Sequence, residues 1–320
     1  MAAGVRVRRY TVAADDGIGL AVEDRGPVNA EVNILLCHGW CLSQLSWAPE
    51  IPLLEKQFGG RVRIVSFDHR GHGHSDPADM DSYTVEQLGD DVAAVLRAAD
   101  LRGSTTVVGH SMGAMALLEF LRRPADQRPV DPDGLVLTAT AAGHLADHGV
   151  GRLLGLPFIN LLADMLGHPH HGGDKAVRAL VRPVCRTMTR VCGLCEADRD
   201  TLTATVANAV YSTPLSTAAG FLPSLKRFDA YSVLASIYAR TVVISGGTDV
   251  FTPVALARDL VSGIGGAVHR HLPAAGHMLL HEAPRVVAEE IGRTALAGRR
   301  SRVGAVRELA TAAPVLAVKS

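Results

Sequence analysis

Apolar and polar residues alternate from Val5 to Val12, a turn falls at Asp15-Asp16-Gly17, and the alternation resumes from Ile18 to Val22. A period of two on either side of an Asp-Gly turn predicts a β-hairpin, and with it an antiparallel edge. Beyond the hairpin the pattern changes to short, continuous apolar runs separated by amphipathic stretches, as expected for parallel strands buried on both faces. Six such strands are predicted: Val32 to Cys37, Val62 to Phe67, Thr105 to Val108, Leu135 to Thr138, Thr241 to Ser245 and Val268 to Leu272. The amphipathic segments Trp47 to Gln57, Thr84 to Ala99, Met112 to Arg122, Pro253 to Val261 and Ala283 to Ala297 are long enough to make helical crossovers. Repeated strand–helix units imply an α/β fold built on a doubly wound, mostly parallel sheet.

The rhythm breaks between about Gly143 and Ser236, where the chain carries no convincing strand but several helix-like stretches rich in Leu, Val and Ala. The expected organisation is a core from residues 1–142 and 237–298, a helical cap over 143–236, and a C-terminal tail over 299–320. An insertion after the C-terminal end of a parallel strand lies over the edge where open α/β sheets bind ligands, so the cap is expected to form a lid and substrate walls. Arg299, Arg300, Arg302 and Arg307 stand among small residues and read as a tail or a final, weakly docked helix. There is no repeat at a fixed period and no low-complexity tract.

Composition narrows the function classes. At 320 residues, 48% hydrophobic and 20% charged, the chain can bury one large core and still carry an excursion. Its 32 basic and 32 acidic residues cancel, so no global field favours nucleic acid, an anionic membrane or a highly charged substrate. The expected partner is a small, largely uncharged molecule. The opening MAAGVRVRRY places charges where a secretory signal needs roughly 7–15 apolar residues, which makes a cytoplasmic location the expectation. No stretch reaches the ~20 apolar residues of a membrane span; the nearest, Leu153 to Leu166, is broken by Pro157, Asn160 and Asp164, so no stable membrane insertion is expected. Five cysteines in a large chain of this kind argue for reduced thiols over a disulfide framework. Oligomeric state leaves no mark in the pattern.

The strongest chemical signal is Gly109-His110-Ser111-Met112-Gly113, placed between an apolar strand and a helical run. A serine on a sharp strand-to-helix turn sits in strained backbone, and the residues two before and two after it must be small; both are glycine. The turn exposes the hydroxyl at the sheet edge, at a helix N-terminus that favours developing negative charge. A serine hydroxyl is a poor nucleophile, so the reading requires a histidine base and a carboxylate that fixes the base's tautomer, both C-terminal to it. Asp249 follows the strand Thr241 to Ser245, and His277 follows Val268 to Leu272. Asp131 and Asp133 precede their strand and read as turn formers; His281 is a rival base but falls where a helix should have begun. Oxyanion donors are expected from the backbone N–H groups of Met112 and, in the loop after Val32 to Cys37, Trp40. His38, Gly39, Gly109, His110 and Gly113 are expected to support the site, His38 by bracing its loop.

With His38-Gly39-Trp40, the run Asp68-His69-Arg70-Gly71-His72-Gly73-His74-Ser75, the Gly109 to Gly113 elbow, Asp249 and His277 in this order, the chain resembles the α/β-hydrolase superfamily, in its serine-nucleophile, esterase- and lipase-like branch. The resemblance implies that Asp68 to Ser75 is a structural loop after the fourth strand and not a metal site. Serine at position 111 separates the chain from relatives resembling epoxide hydrolases and haloalkane dehalogenases, which carry aspartate there. His168-Pro169-His170-His171 and Cys185, Cys192 and Cys195 lack the second half of a zinc site, so neither metal nor cofactor is expected. The resulting expectation is hydrolysis of an ester of a small, uncharged, moderately apolar substrate through an acyl-Ser111 intermediate. Two alternatives stay open: the same three residues acting on a thioester, lactone or carbon–carbon bond or in cofactor-free perhydrolysis, whose oxyanion loop His38-Gly39-Trp40 resembles; and a hydrolase-fold receptor that turns over slowly.

Overall fold

The alternating N-terminal segments form strands β1 (Val7–Ala13) and β2 (Gly19–Arg25), paired antiparallel with Tyr10 opposite Val22. β2 also pairs antiparallel with β4 (Val62–Phe67), which joins the hairpin to a parallel block. That block comprises β4, β3 (Val32–Cys37), β5 (Ser104–His110), β6 (Gly134–Thr138), β7 (Arg240–Gly246) and β8 (Val268–Leu272). Together they make one eight-stranded sheet in the order β1-β2-β4-β3-β5-β6-β7-β8. These features belong to a computed structural model that describes residues 5–148 and 213–312.

The continuous apolar runs are explained by a core on each face. Leu35, Cys37, Val65, Phe67, Val107, Leu135, Leu137 and Val243 point to one side, where they meet α2 (Val85–Ala99), α3 (Met112–Arg122) and α6 (Val254–Gly263). The intervening Ile34, Leu36, Ile64, Val108, Val136, Val242 and Ile244 point to the other, against α1 (Glu50–Phe58) and α8 (Pro284–Ala312). A sheet sandwiched between two helical layers leaves no polar face on its central strands.

The connection β3–α1–β4 leaves β3 toward one side, and β4–α2–β5 returns to its other side. The crevice beyond the carboxyl ends of β3 and β5 is therefore a topological switch point, where sheets of this kind take ligands. Two described pieces flank the unassigned centre of the expected cap: a short 3₁₀ turn at Leu145–Asp147, and helices α4 (Leu215–Arg227) and α5 (Tyr231–Leu234). Residues 149–212, which include the two zinc-like clusters, lie outside the described residues.

Two helix boundaries and the burial of one strand differ from the pattern-based reading. α1 begins at Glu50, after a separate 3₁₀ turn over Gln44–Trp47, because Trp47 is wholly buried in the core instead of riding on the helix. α8 does not stop near Ala297 but continues through Ala312, so the first half of the expected tail is helical. β8 is an edge strand with Val268, Arg270 and His271 exposed, not a doubly buried one. No helix among the described residues is long and apolar enough to cross a membrane.

Candidate active site

Every strand-end residue singled out by the sequence lies at the carboxyl edge of the sheet. Ser111 follows β5 directly and has φ 52 and ψ −118, a left-handed backbone that a serine adopts only under constraint. Its N–H donates to Thr138 O at 2.9 Å, and its own carbonyl accepts from Thr140 Oγ1 at 2.9 Å, so both flanks of the strained residue are tied to β6 and the loop after it. The two glycines are required by close approach. A Cβ at Gly109 would lie 2.4 Å from the backbone of Ala114, and one at Gly113 would lie 2.4 Å from His38 O and 2.5 Å from Cys37 O.

The elbow brings Ser111 Oγ to 3.2 Å from His277 Nε2, and His277 Nδ1 lies 2.8 Å from Asp249 Oδ2. A carboxylate only accepts, so Nδ1 carries the hydrogen and the Nε2 lone pair faces the hydroxyl. Asp249 also accepts from Thr252 Oγ1 at 2.6 Å and from the N–H groups of Phe251 and Thr252 at 2.8 and 2.9 Å. Burial opposes ionisation of this carboxyl, but His277 beside it and the hydrogen bonds from His277 and Thr252 hold it well below the usual carboxylate range. Asp249 thus closes the turn before α6 and orients the histidine at once.

The loop after β3 packs on the elbow. A Cβ at Gly39 would meet His110 Nδ1 at 2.7 Å and Ser111 Cβ at 3.3 Å, so only glycine lets this loop pack so close to the Ser111 turn. No acceptor among the described residues takes the N–H of Trp40 or of Met112. The Trp40 indole donates through Nε1 to Ala218 O of α4 at 3.2 Å. His38 is buried and braces its own loop: Nε2 accepts from His69 N–H at 3.0 Å, which leaves Nδ1–H to donate to Gly39 O at 2.8 Å. His72 accepts from the N–H of Cys41, a residue with φ 56, at 3.1 Å, and donates through Nδ1 to Arg70 O at 3.0 Å. Asp68 accepts from the N–H groups of Gln44 and His74. The histidine-rich run after β4 therefore works as scaffold for the Trp40 loop.

Asp131 pairs with Arg128, and Asp133 accepts from the Thr105 N–H at the opposite edge of the sheet. His281 sits on the short helix α7 (Leu279–Glu282), its ring without a hydrogen-bond partner among the described residues, and burial pushes it down to about 4. Three contributors carried no sequence signal: Thr252 on Asp249, the carbonyl of Ala218 on Trp40, and Glu282, which accepts from the N–H groups on either side of His277.

A family model described as "Alpha/beta hydrolase family" matches residues 34–290. The chain is 35% identical over 117 residues to a non-heme chloroperoxidase of Streptomyces lividans, a match covering 35% of this chain and 39% of that protein. It is 30% identical over 145 residues to the protein named probable oxidoreductase EphD in Mycobacterium tuberculosis, covering 45% of this chain and 23% of that one. The chain thus spans about a quarter to two fifths of the curated relatives it matches. Among solved structures, an esterase of Exiguobacterium antarcticum superposes with a TM-score of 0.71 at 18% identity, covering 90% of this chain and 99% of that one, a likeness of fold.

Proposed function

The chain belongs to the alpha/beta hydrolase family, and from that premise we propose that it hydrolyses an ester of a small, uncharged, moderately apolar substrate through an acyl-Ser111 intermediate. The observation that carries the reading is the hydrogen-bonded row Ser111–His277–Asp249, with links of 3.2 and 2.8 Å. In this reading His277 Nε2 takes the hydroxyl proton as Ser111 Oγ attacks the acyl carbon, and Asp249 stabilises the imidazolium that forms. The N–H groups of Met112 and Trp40 receive the oxyanion, where each such donor is worth roughly 2.7–4 kcal/mol. His277 then protonates the leaving alkoxide and activates water, which releases the acid and restores the serine. All proton movements run through these side chains, so the reading calls on no metal or cofactor. The apolar composition of the expected cap, with residues such as Leu153, Leu161 and Met165 that lie outside the described residues, supports an apolar acyl group in this reading.

A panel of 4-nitrophenyl esters of increasing chain length, assayed with the wild type and Ser111→Ala, tests it. The expected result is turnover by the wild type that falls to background in the variant, together with stoichiometric labelling of Ser111 by a serine-directed phosphonate. Turnover that survives in Ser111→Ala, or a wild type that binds esters without releasing product, sinks the reading; the second outcome supports a slow receptor. The likeness to a chloroperoxidase favours one further reading, perhydrolysis by the same residues, in which hydrogen peroxide replaces water in attacking the acyl-serine. Peracid formation from a carboxylic acid and peroxide is its direct assay.

A further inference from the structure

Three backbone groups around one residue are pinned by side chains from two different elements. The Gly276 N–H donates to Glu282 Oε2 at 2.6 Å, the Met278 N–H donates to Glu282 Oε1 at 3.0 Å, and the carbonyl between them, His277 O, accepts from His110 Nε2 at 3.0 Å. We infer that Glu282 and His110 are positioning residues that clamp the main chain of His277 and set its imidazole against Ser111 and Asp249; this rests on the reading of those three residues given above.

The chemistry of each contact leaves little choice. Two amide N–H groups can only donate, so both oxygens of Glu282 must accept, a demand that an ionised carboxylate meets and a carboxamide does not. A backbone carbonyl can only accept, so His110 carries its hydrogen on Nε2. Its Nδ1 has no partner among the described residues and is pressed against Gly39. His110 is fully buried, and burial together with the neighbouring His277 pushes it down to about 3, so it stays neutral and keeps this donor.

The two contacts do different work. His110 immediately precedes Ser111, so its bond to His277 O ties the nucleophile turn directly to the loop that carries the base, although the two lie 167 positions apart in sequence. Glu282 holds the same loop from the other side, through the first turn of a helix. The preceding loop Pro273-Ala274-Ala275-Gly276 is tied elsewhere by the Thr248 N–H donating to Ala275 O at 3.0 Å, but Pro273 and Ala274 are exposed, and the main-chain hydrogen bonds flanking the His277 ring come from Glu282 and His110. A displacement of about 1 Å at a reacting centre costs on the order of 100-fold in rate. Glu282 also lies close enough to feel the charges of Asp249 and His277, so it adds a second negative charge beside an imidazolium. Asp249, His277, His110 and His281 are the titratable groups around this cluster.

The test compares wild type, Glu282→Gln, His110→Phe and His110→Gln, with three readouts: steady-state kinetics on the best ester of the panel, thermal midpoint, and the low-field proton NMR signal of the His277 Nδ1–H bonded to Asp249. The expected result for Glu282→Gln is a fall in kcat of roughly 10- to 100-fold with KM within about 3-fold, an acidic limb of the pH–rate profile moved to lower pH, and a broadened or shifted low-field signal. His110→Gln, whose amide can donate to the same carbonyl, is expected to retain several-fold more kcat than His110→Phe. A Glu282→Gln enzyme whose kcat per phosphonate-titrated site equals the wild type, with only a lowered thermal midpoint, overturns the clamp. A wild type inert on every ester counts against the proposed function and not against the clamp, because the NMR signal reports the geometry without turnover. An unchanged signal in Glu282→Gln then overturns it.

Discussion

Thr252 illustrates how much of the Ser111–His277–Asp249 row can rest on a residue outside it. Its hydroxyl donates to Asp249 Oδ2 at 2.6 Å while its N–H donates to Oδ1, so it fixes both the charge and the orientation of the carboxylate. Thr252→Val keeps the shape and removes the hydroxyl donor; hydrogen bonds to charged groups contribute roughly 1.5–3 kcal/mol. The expected outcome is a several-fold loss of kcat with KM nearly constant, and a lower urea midpoint at pH 7. Glu50 is the opposite case: a wholly buried carboxyl in the first turn of α1 with no hydrogen-bond partner beyond its own backbone N–H among the described residues. Burial pushes it well above the usual carboxylate range. An acid whose folded pKa is raised loses its contribution as pH rises above the unfolded value near 4.5, by up to roughly 1.4 kcal/mol per pH unit until the folded pKa is reached. Glu50→Gln is therefore expected to be more stable than the wild type at pH 8, with a gap that narrows toward pH 5, as denaturant titrations at the two pH values will read.

Among the elements, α4 links the fold to the site. Ser224 Oγ accepts the N–H of Val85, an orphan donor at the start of α2, while Thr84 caps the N–H of Gln87 within the same helix. From the same helix Thr217 donates to the Tyr83 hydroxyl and Ala218 receives the Trp40 indole. Ser224→Ala leaves a buried amide unsatisfied, which costs about 1–3 kcal/mol. It should lower the urea midpoint, and kcat should fall with it as the support of Trp40 loosens. The central parallel strands were legible because burial on both faces writes a continuous apolar run: β3 and β4 fall where the pattern put them, while β8, an exposed edge strand, was found by its place in the strand–helix order. The row Ser111–His277–Asp249 was legible as a set of places, because the proposed chemistry restricts the residue types and the strand ends restrict where they fall. The last turns of α8 were legible only as one of two options, since Arg299, Arg300, Arg302 and Arg307 among small residues suit a tail as well as a weakly docked helix. Glu282 and Ser224 were hidden for another reason: both act on backbone N–H groups, which every residue owns and no pattern announces.

At the scale of the whole molecule, buried neutral histidines set the acid limit of stability. His72 and His110 are both pushed down to about 3, by burial first and then by the neighbouring imidazoles of His38 and His277. A base whose folded pKa is lowered binds fewer protons folded than unfolded, so stability is lost as pH falls below about 6.5, and the loss is complete near 3. Each contributes roughly 1.4 kcal/mol per pH unit in that window. Asp249, held low, acts in the same direction below about 4. Glu50 acts in the opposite direction over part of this window, so the urea midpoint of Glu50→Gln, free of that opposing contribution, is expected to drop clearly between pH 7 and pH 5, and a flat profile in that variant would mean that these rings are not buried neutral. The junction of the 143–236 excursion with the core has a separate consequence. Gly143 forms a β-bridge with Asp229, Ala230 N–H donates to Ala142 O at 2.7 Å, and Arg122, at the end of the helix that follows Ser111, donates to Asp229 O and Ser232 Oγ. The departing and returning chains are thus stapled side by side. Lengthening such a closed loop costs only about 0.6 kcal/mol per doubling, so a protein engineer can alter the length of the stretch in between at little cost to the sheet it is anchored on.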